Sequence, residues 1–237
     1  WGEALTQLRG VVRKARRQVL KDYVAFPLLA GPAFLPVLLV TATALGFWKW
    51  LEWGFDTPLR TRMSASALLV FATMLLPYSR SLADVVATGC WLTWGAAFAA
   101  RAAATGRIAS AAAAGVCLGF AFLTRVPAAV AILPIFIWMV ARAPAASRWQ
   151  LAAVAVAAGL PSLAGVLWFN ELRMGSPFLP AEMHPQNAIV QPGGIPLHVG
   201  VAGLLISPGK SIFLFSPVLL LAAAAMPRTL RAARWQA

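Results

Sequence analysis

Arg80, Arg125, Arg173 and Lys210 each stand at the edge of a long apolar stretch. A cation beside apolar surface costs several kcal/mol unless something anionic meets it, so these residue types point to recognition of a phosphate or a carboxylate. Asp84 follows Arg80 by four residues, and on a helix the two share a face. A local ion pair satisfies that spacing. So does a carboxylate that faces a cavity and orients a substrate hydroxyl while Arg80 faces a phosphate. Arg125 closes the run Gly119-Phe120-Ala121-Phe122-Leu123-Thr124, two residues before Pro127, a residue suited to the start of a helix. The hairpin is tight, which predicts a cation pointing into a shared cleft. Ser207-Pro208-Gly209-Lys210-Ser211 offers backbone N–H groups at a helix start, a glycine and an ammonium, the makings of an anion nest. A plain helix start capped by Ser207 reads the same way. The G-x-x-x-x-G-K-[ST] spacing is absent. Glu182, His184 and His198 are metal-ligating types, but their spacing matches no strong ligand motif. Nucleophile elbows, H-E-x-x-H and dinucleotide fingerprints are missing too, which leaves the usual soluble-enzyme chemistries without support.

The elements that would position these residues are apolar helices. Of 237 residues 60% are apolar and 11% charged, and mean hydropathy is +0.76, a balance that suits a bilayer better than water. Apolar runs at 24–48, 63–78, 85–100, 108–124, 126–141, 150–169 and 211–226 are each near the length a helix needs to cross ~30 Å of hydrocarbon. The runs at 63–78 and 126–141 are short, with Arg60, Arg62 and Arg142 able to snorkel. Pro27, Pro32 and Pro36 predict a kinked first span. The expectation is an all-α polytopic transmembrane bundle of about seven spans. It divides into a basic amphipathic interfacial helix within 1–22, a transmembrane bundle over 23–169, an outer loop over 170–210, and a last span with a basic tail over 211–237. Within the outer loop, Val199 to Ile206 is too short to span and is expected to lie along the membrane. Cys90 and Cys117 fall inside apolar runs and are read as structural.

A net charge of +13 would suggest nucleic acid in a soluble protein, but the cations gather in short gaps between apolar runs, which is a topology signal. With Arg228, Arg231 and Arg234 cytoplasmic, alternation also places Arg142 and Arg148, Arg101 and Arg107, and Lys49, Arg60 and Arg62 inside. Arg80, Arg125, Arg173 and Lys210 then fall outside, with Asp84, Glu171 and Glu182. The same parity puts the basic helix 3–20 outside, against the rule; an absent upstream span or a first run that does not fully cross would each account for it. The chain begins at Trp1, which predicts a fragment or a truncated relative of something longer.

The motif series Pro77-Tyr78-Ser79-Arg80, Gly115-Val116-Cys117-Leu118-Gly119 with Leu123-Thr124-Arg125, Trp168-Phe169-Asn170-Glu171-Leu172-Arg173-Met174-Gly175-Ser176-Pro177, Leu204-Leu205-Ile206-Ser207-Pro208-Gly209-Lys210 and Phe213-Leu214-Phe215-Ser216-Pro217 resembles bacterial polyprenyl-phosphate-dependent glycosyltransferases. These belong to the dolichyl-phosphate-mannose protein mannosyltransferase superfamily, with the C-type membrane glycosyltransferase fold. The resemblance covers roughly residues 65–235 in motif order. It implies a multi-pass protein of the bacterial inner membrane that moves a sugar from a polyprenyl-phosphate carrier to a glycan, lipid or protein acceptor on the outer face. It also implies that Arg80, Tyr78, Arg125, Asn170, Arg173, Lys210 and Ser207 shape the lipid-phosphate pocket and that Asp84 is a cavity carboxylate or base. No cofactor is called for, although a divalent cation is compatible with the chemistry. In the family a carboxylate in the first outer loop deprotonates the acceptor; Glu3 and Asp22 do not sit in that acidic motif, so the principal base is expected outside this chain. Two other classes share these features: a lipid-linked carrier or transporter, and a non-catalytic truncated membrane subunit.

Overall fold

The computed structural model describes residues 30–73, 75–78, 84–178, 197–206, 216–220 and 223–226. The amphipathic helix expected over 3–20, Arg80, Glu182, His184, Ser207, Lys210, the tail arginines and much of the run 211–226 lie outside them. Helical stretches at 218–220 and 223–226 aside, the described residues form eight helices, with no strand among them. They are α1 (Ala30–Phe55), α2 (Leu59–Phe71), α3 (Leu75–Tyr78), α4 (Asp84–Thr105), α5 (Ile108–Thr124), α6 (Ala129–Arg142), α7 (Arg148–Met174) and α8 (Leu197–Ile206). A 3₁₀ turn, Val126–Ala128, joins α5 to α6.

Helix bounds depart from the apolar runs in both directions: the run 63–78, expected to span as one helix, is broken, α2 being capped at Ala72 and α3 covering only Leu75–Tyr78, whereas other helices run past their apolar stretch. α1 continues from the run ending at 48 through Lys49 and Glu52 to Phe55, and it passes unbroken through Pro36, whose missing N–H opens one rung. α2 starts at Leu59, so Arg60 and Arg62 belong to a helix and only Asp56–Pro58 form the turn. α7 extends beyond residue 169 to Met174, which puts Asn170, Glu171 and Arg173 in its last turn and not in a loop. Hydropathy marks where a segment stops being apolar, whereas a helix stops where its ladder is capped or broken. Two helices, at Phe34–Phe55 and Arg148–Arg173, are long and apolar enough to cross a membrane.

Register follows from which residues touch. Trp94 Nε1 donates to Ala42 O at 3.0 Å, Gly46 lies against Thr93, and Gly54 against Ala100, so α1 and α4 run in the same direction. Gly95 abuts Leu118 and Trp91 stacks on Phe120 with centroids 5.0 Å apart, so α4 and α5 are antiparallel. Gly115 meets Ala155, Gly119 meets Gly159 and Ser162, and Gly165 meets Leu123, so α5 and α7 run alongside each other in the same direction, with α6 as the return.

The interior is built of small side chains. Ala99, Ala102, Ala111, Ala114 and Ala155 are buried together with Met139 and Leu151, while large apolar side chains point outward. On α6, Val130 is 84% exposed, Leu133 61% and Ile137 57%, and their spacing puts them on one face. Small residues inside and branched aliphatics outside invert the usual arrangement of a protein in water.

Candidate functional site at the α4 and α5 ends

Asp84 occupies the first turn of α4, where the partial positive charge of the helix N-terminus favours a carboxylate. Arg125 caps the C-terminus of α5 with φ −149° and ψ 115°. Its N–H donates back to Ala121 O at 3.0 Å, while its own carbonyl accepts from Ala128 N at 3.0 Å and opens the 3₁₀ turn. Pro127 has no N–H to continue the α5 ladder, so the chain turns there and leaves a cation at the negative end of the α5 dipole. Because α4 and α5 are antiparallel, these two ends coincide. Arg125 Nε lies 3.1 Å from Asp84 Oδ2. The side chains are 43% and 56% exposed, so the pair contributes at most about 1 kcal/mol to stability. Its significance lies in orientation: Asp84 engages Nε, and the terminal guanidinium nitrogens have no ion-pair partner among the described residues.

Next to this hairpin is an apolar groove between α5, α6 and α7, of about 490 Å³. Gly119, Phe122, Leu133, Phe136, Gly159 and Leu163 are among its lining residues. Gly115, Gly119 and Gly159 sit where a Cβ would meet the facing helix, so α5 and α7 approach closely along this lining. Phe122 and Ala129 carry its lining to either side of Arg125 in sequence.

The remaining sequence candidates separate. Asn170 Nδ2 donates to Pro177 O at 3.2 Å, fastening the turn that follows α7. Gly175, with φ +68°, ends that helix in the left-handed conformation, which glycine adopts without a Cβ penalty. The Arg173 guanidinium lies 6.0 Å from the Phe169 ring centroid, a partner one turn away on its own helix. Among the described residues no hydrogen bond or ion pair joins Asn170 or Arg173 to Asp84 or Arg125. Tyr78 ends α3, and His198 lies in the first turn of α8. Asp84, spaced for Arg80 in the sequence, has Arg125 as its described partner. No group of three or more His, Cys, Asp and Glu capable of holding a metal occurs among the described residues.

The opposite end of the bundle holds a second cluster, built from cations that the sequence marks as inside-loop or snorkelling charge. Glu52 accepts from Lys49 Nζ at 2.8 Å and pairs with Arg62 Nη1 at 3.3 Å. Arg62 lies over Trp48 at 5.7 Å, and Lys49 and Arg101 lie over Trp53 at 5.5 and 4.8 Å. The signal was present in Trp48, Trp50 and Trp53 beside cations at a helix end, the composition of a membrane–water boundary. Compared with family models, curated proteins and solved structures, the chain matches none.

Proposed function

We propose that the chain is a multi-pass inner-membrane protein of about seven spans that binds a polyprenyl-phosphate-linked sugar and serves its transfer to an acceptor on the outer face. The observation that carries this reading is an arginine held by a carboxylate beside an apolar groove. The isoprenoid tail lies in the groove between α5, α6 and α7, and the phosphate meets the terminal nitrogens of Arg125 as a charge-assisted contact. In this arrangement Asp84 is first a positioning residue for Arg125. Lys210, Ser207, Arg80 and Tyr78 enter this reading through the family resemblance alone, while Asn170 and Arg173 lie at the end of α7 with local partners.

The outward aliphatic faces and the alanine interior support membrane embedding. Sidedness is argued from charge. Lys49, Arg60, Arg62, Arg101, Arg107, Arg142 and Arg148 occupy the Trp53 end of the helices, which the positive-inside rule makes cytoplasmic. Asp84 and Arg125 then face outward.

Transfer of radiolabelled sugar from a polyprenyl-phosphate donor, measured with full-length protein in vesicles, tests the reading. Arg125→Ala is expected to abolish it, and transfer unchanged in that variant would remove the site. Donor binding without transfer in the wild type would favour a lipid-linked carrier instead.

A further inference from the structure

We infer that the cytoplasm-proximal end of the bundle contains a binding site for the headgroup of an anionic phospholipid, built on Trp53, Trp138, Arg101 and Arg142. Trp53 and Gly54 of α1, Ala103 of α4, and Trp138 and Arg142 of α6 line a cavity of about 170 Å³. Arg101, outside that lining, lies 4.8 Å over the Trp53 ring. Two indoles and the Arg142 guanidinium therefore wall the cavity, and a second guanidinium rests on one of those rings.

The charges there do not balance. Glu52 is taken by Lys49 and Arg62, and neither Arg101 nor Arg142 has an ion-pair partner among the described residues. Asp56, the next acid, is exposed just past α1 at φ 44° and could offset one of them at most. Two guanidiniums with so little counter-charge at a helix-bundle end suit a phosphodiester, which arginine binds through paired N–H donors. The walls select the source of the phosphate. A free anion gains little from indole and alanine surface, whereas a lipid places its headgroup on the cations and its glycerol and upper acyl carbons on the rings. Phe55, 49% exposed and packed on Trp138 at 6.1 Å between centroids, continues that apolar wall outward.

The inference rests on the membrane reading above but not on the transferase reading. Native mass spectrometry of the full chain, extracted in detergent and offered equal amounts of phosphatidylglycerol and phosphatidylcholine, tests it. Phosphatidylglycerol should be retained about tenfold more: both lipids offer a phosphodiester, but the choline ammonium of phosphatidylcholine offsets that charge and meets the guanidiniums as a like charge. The double variant Arg101→Ala/Arg142→Ala should lower retention to the phosphatidylcholine level, while Arg107→Ala, an exposed arginine that neither lines the cavity nor is described over its tryptophans, should leave it unchanged. If the double variant does not fold, Arg142→Gln at an exposed position should still cost about threefold. Equal retention of the two lipids, or an equal loss in Arg107→Ala, overturns the site. Displacement of the lipid by millimolar inorganic phosphate overturns the headgroup assignment. A chain recovered in the aqueous fraction would remove the membrane reading together with this inference, whereas equal adducts on a detergent-extracted chain remove this inference alone.

Discussion

Arg125 is displayed by backbone chemistry before any partner is considered: α5 is capped there, and Pro127 prevents its continuation. That much was legible, since the proline and the end of the apolar run are adjacent in sequence. The partner was not. Helical spacing pairs Asp84 with Arg80, which lies outside the described residues; the described contact runs from residue 84 to residue 125, and only packing of α4 against α5 creates it. The half-exposed geometry makes Asp84→Asn a mild change. Steady-state transfer kinetics should show KM for the lipid donor raised about three- to fivefold, the scale of an exposed ion pair, with kcat nearly unchanged. A collapse of kcat at constant KM would instead make Asp84 the base. Asn170 and Arg173 show the opposite case. The family resemblance implies a pocket role for both, and their described partners, Pro177 and Phe169, are local; one-dimensional spacing does not reveal that a helix continues through them.

Among elements, the α5–α7 seam sets the shape of the groove. A Cβ added at Gly115 would overlap the Ala155 carbonyl, and one at Gly119 would come within 2.8 Å of Ser162 Oγ. Gly115→Ala should therefore destabilise by about 1–3 kcal/mol through overpacking. Gly89→Ala, where nothing lies within 4 Å, should gain roughly 0.5–1 kcal/mol from helix propensity. Thermal unfolding in detergent compares the two; equal effects would mean that the helices do not approach so closely. The glycine and alanine content of these segments was visible in the sequence, as were most of the helices, but the break of the run 63–78 between α2 and α3 was not. Their ends were displaced wherever a helix carried charge past its apolar run, as α1 does through Lys49 and Glu52 and α7 does through Glu171 and Arg173. Which helices are neighbours, and that α1 lies parallel to α4, depends on side chains such as Trp94 reaching Ala42, a contact that no local pattern encodes.

At the scale of the molecule, the helices have two chemically distinct ends. One gathers arginines, lysine and tryptophans around Trp53; the other carries the Asp84–Arg125 pair and the end of α7. Charge alternation in the sequence anticipated this separation because short turns force successive helices to reverse. Single cysteines at Ala145 and Ser176, in a background with Cys90 and Cys117 replaced by alanine, should react with an impermeant maleimide from opposite sides of the membrane, Ser176 from outside. Labelling of Ala145 from outside and Ser176 from inside would reverse the orientation argued from the positive-inside rule, and labelling of both from one side would mean that α7 does not cross.

The claim that joins the scales is that an isoprenoid tail fills the α5–α6–α7 groove while Arg125 holds its phosphate. Photocrosslinking with a diazirine-bearing polyprenyl phosphate, read by peptide mass spectrometry of the full chain in vesicles, addresses it directly. Crosslinks should concentrate on peptides containing Phe122, Leu133 and Leu163, be displaced by unlabelled polyprenyl phosphate, and fall sharply in Arg125→Ala. Crosslinks spread evenly over the outward faces of the helices, or an unchanged pattern in that variant, would contradict the account.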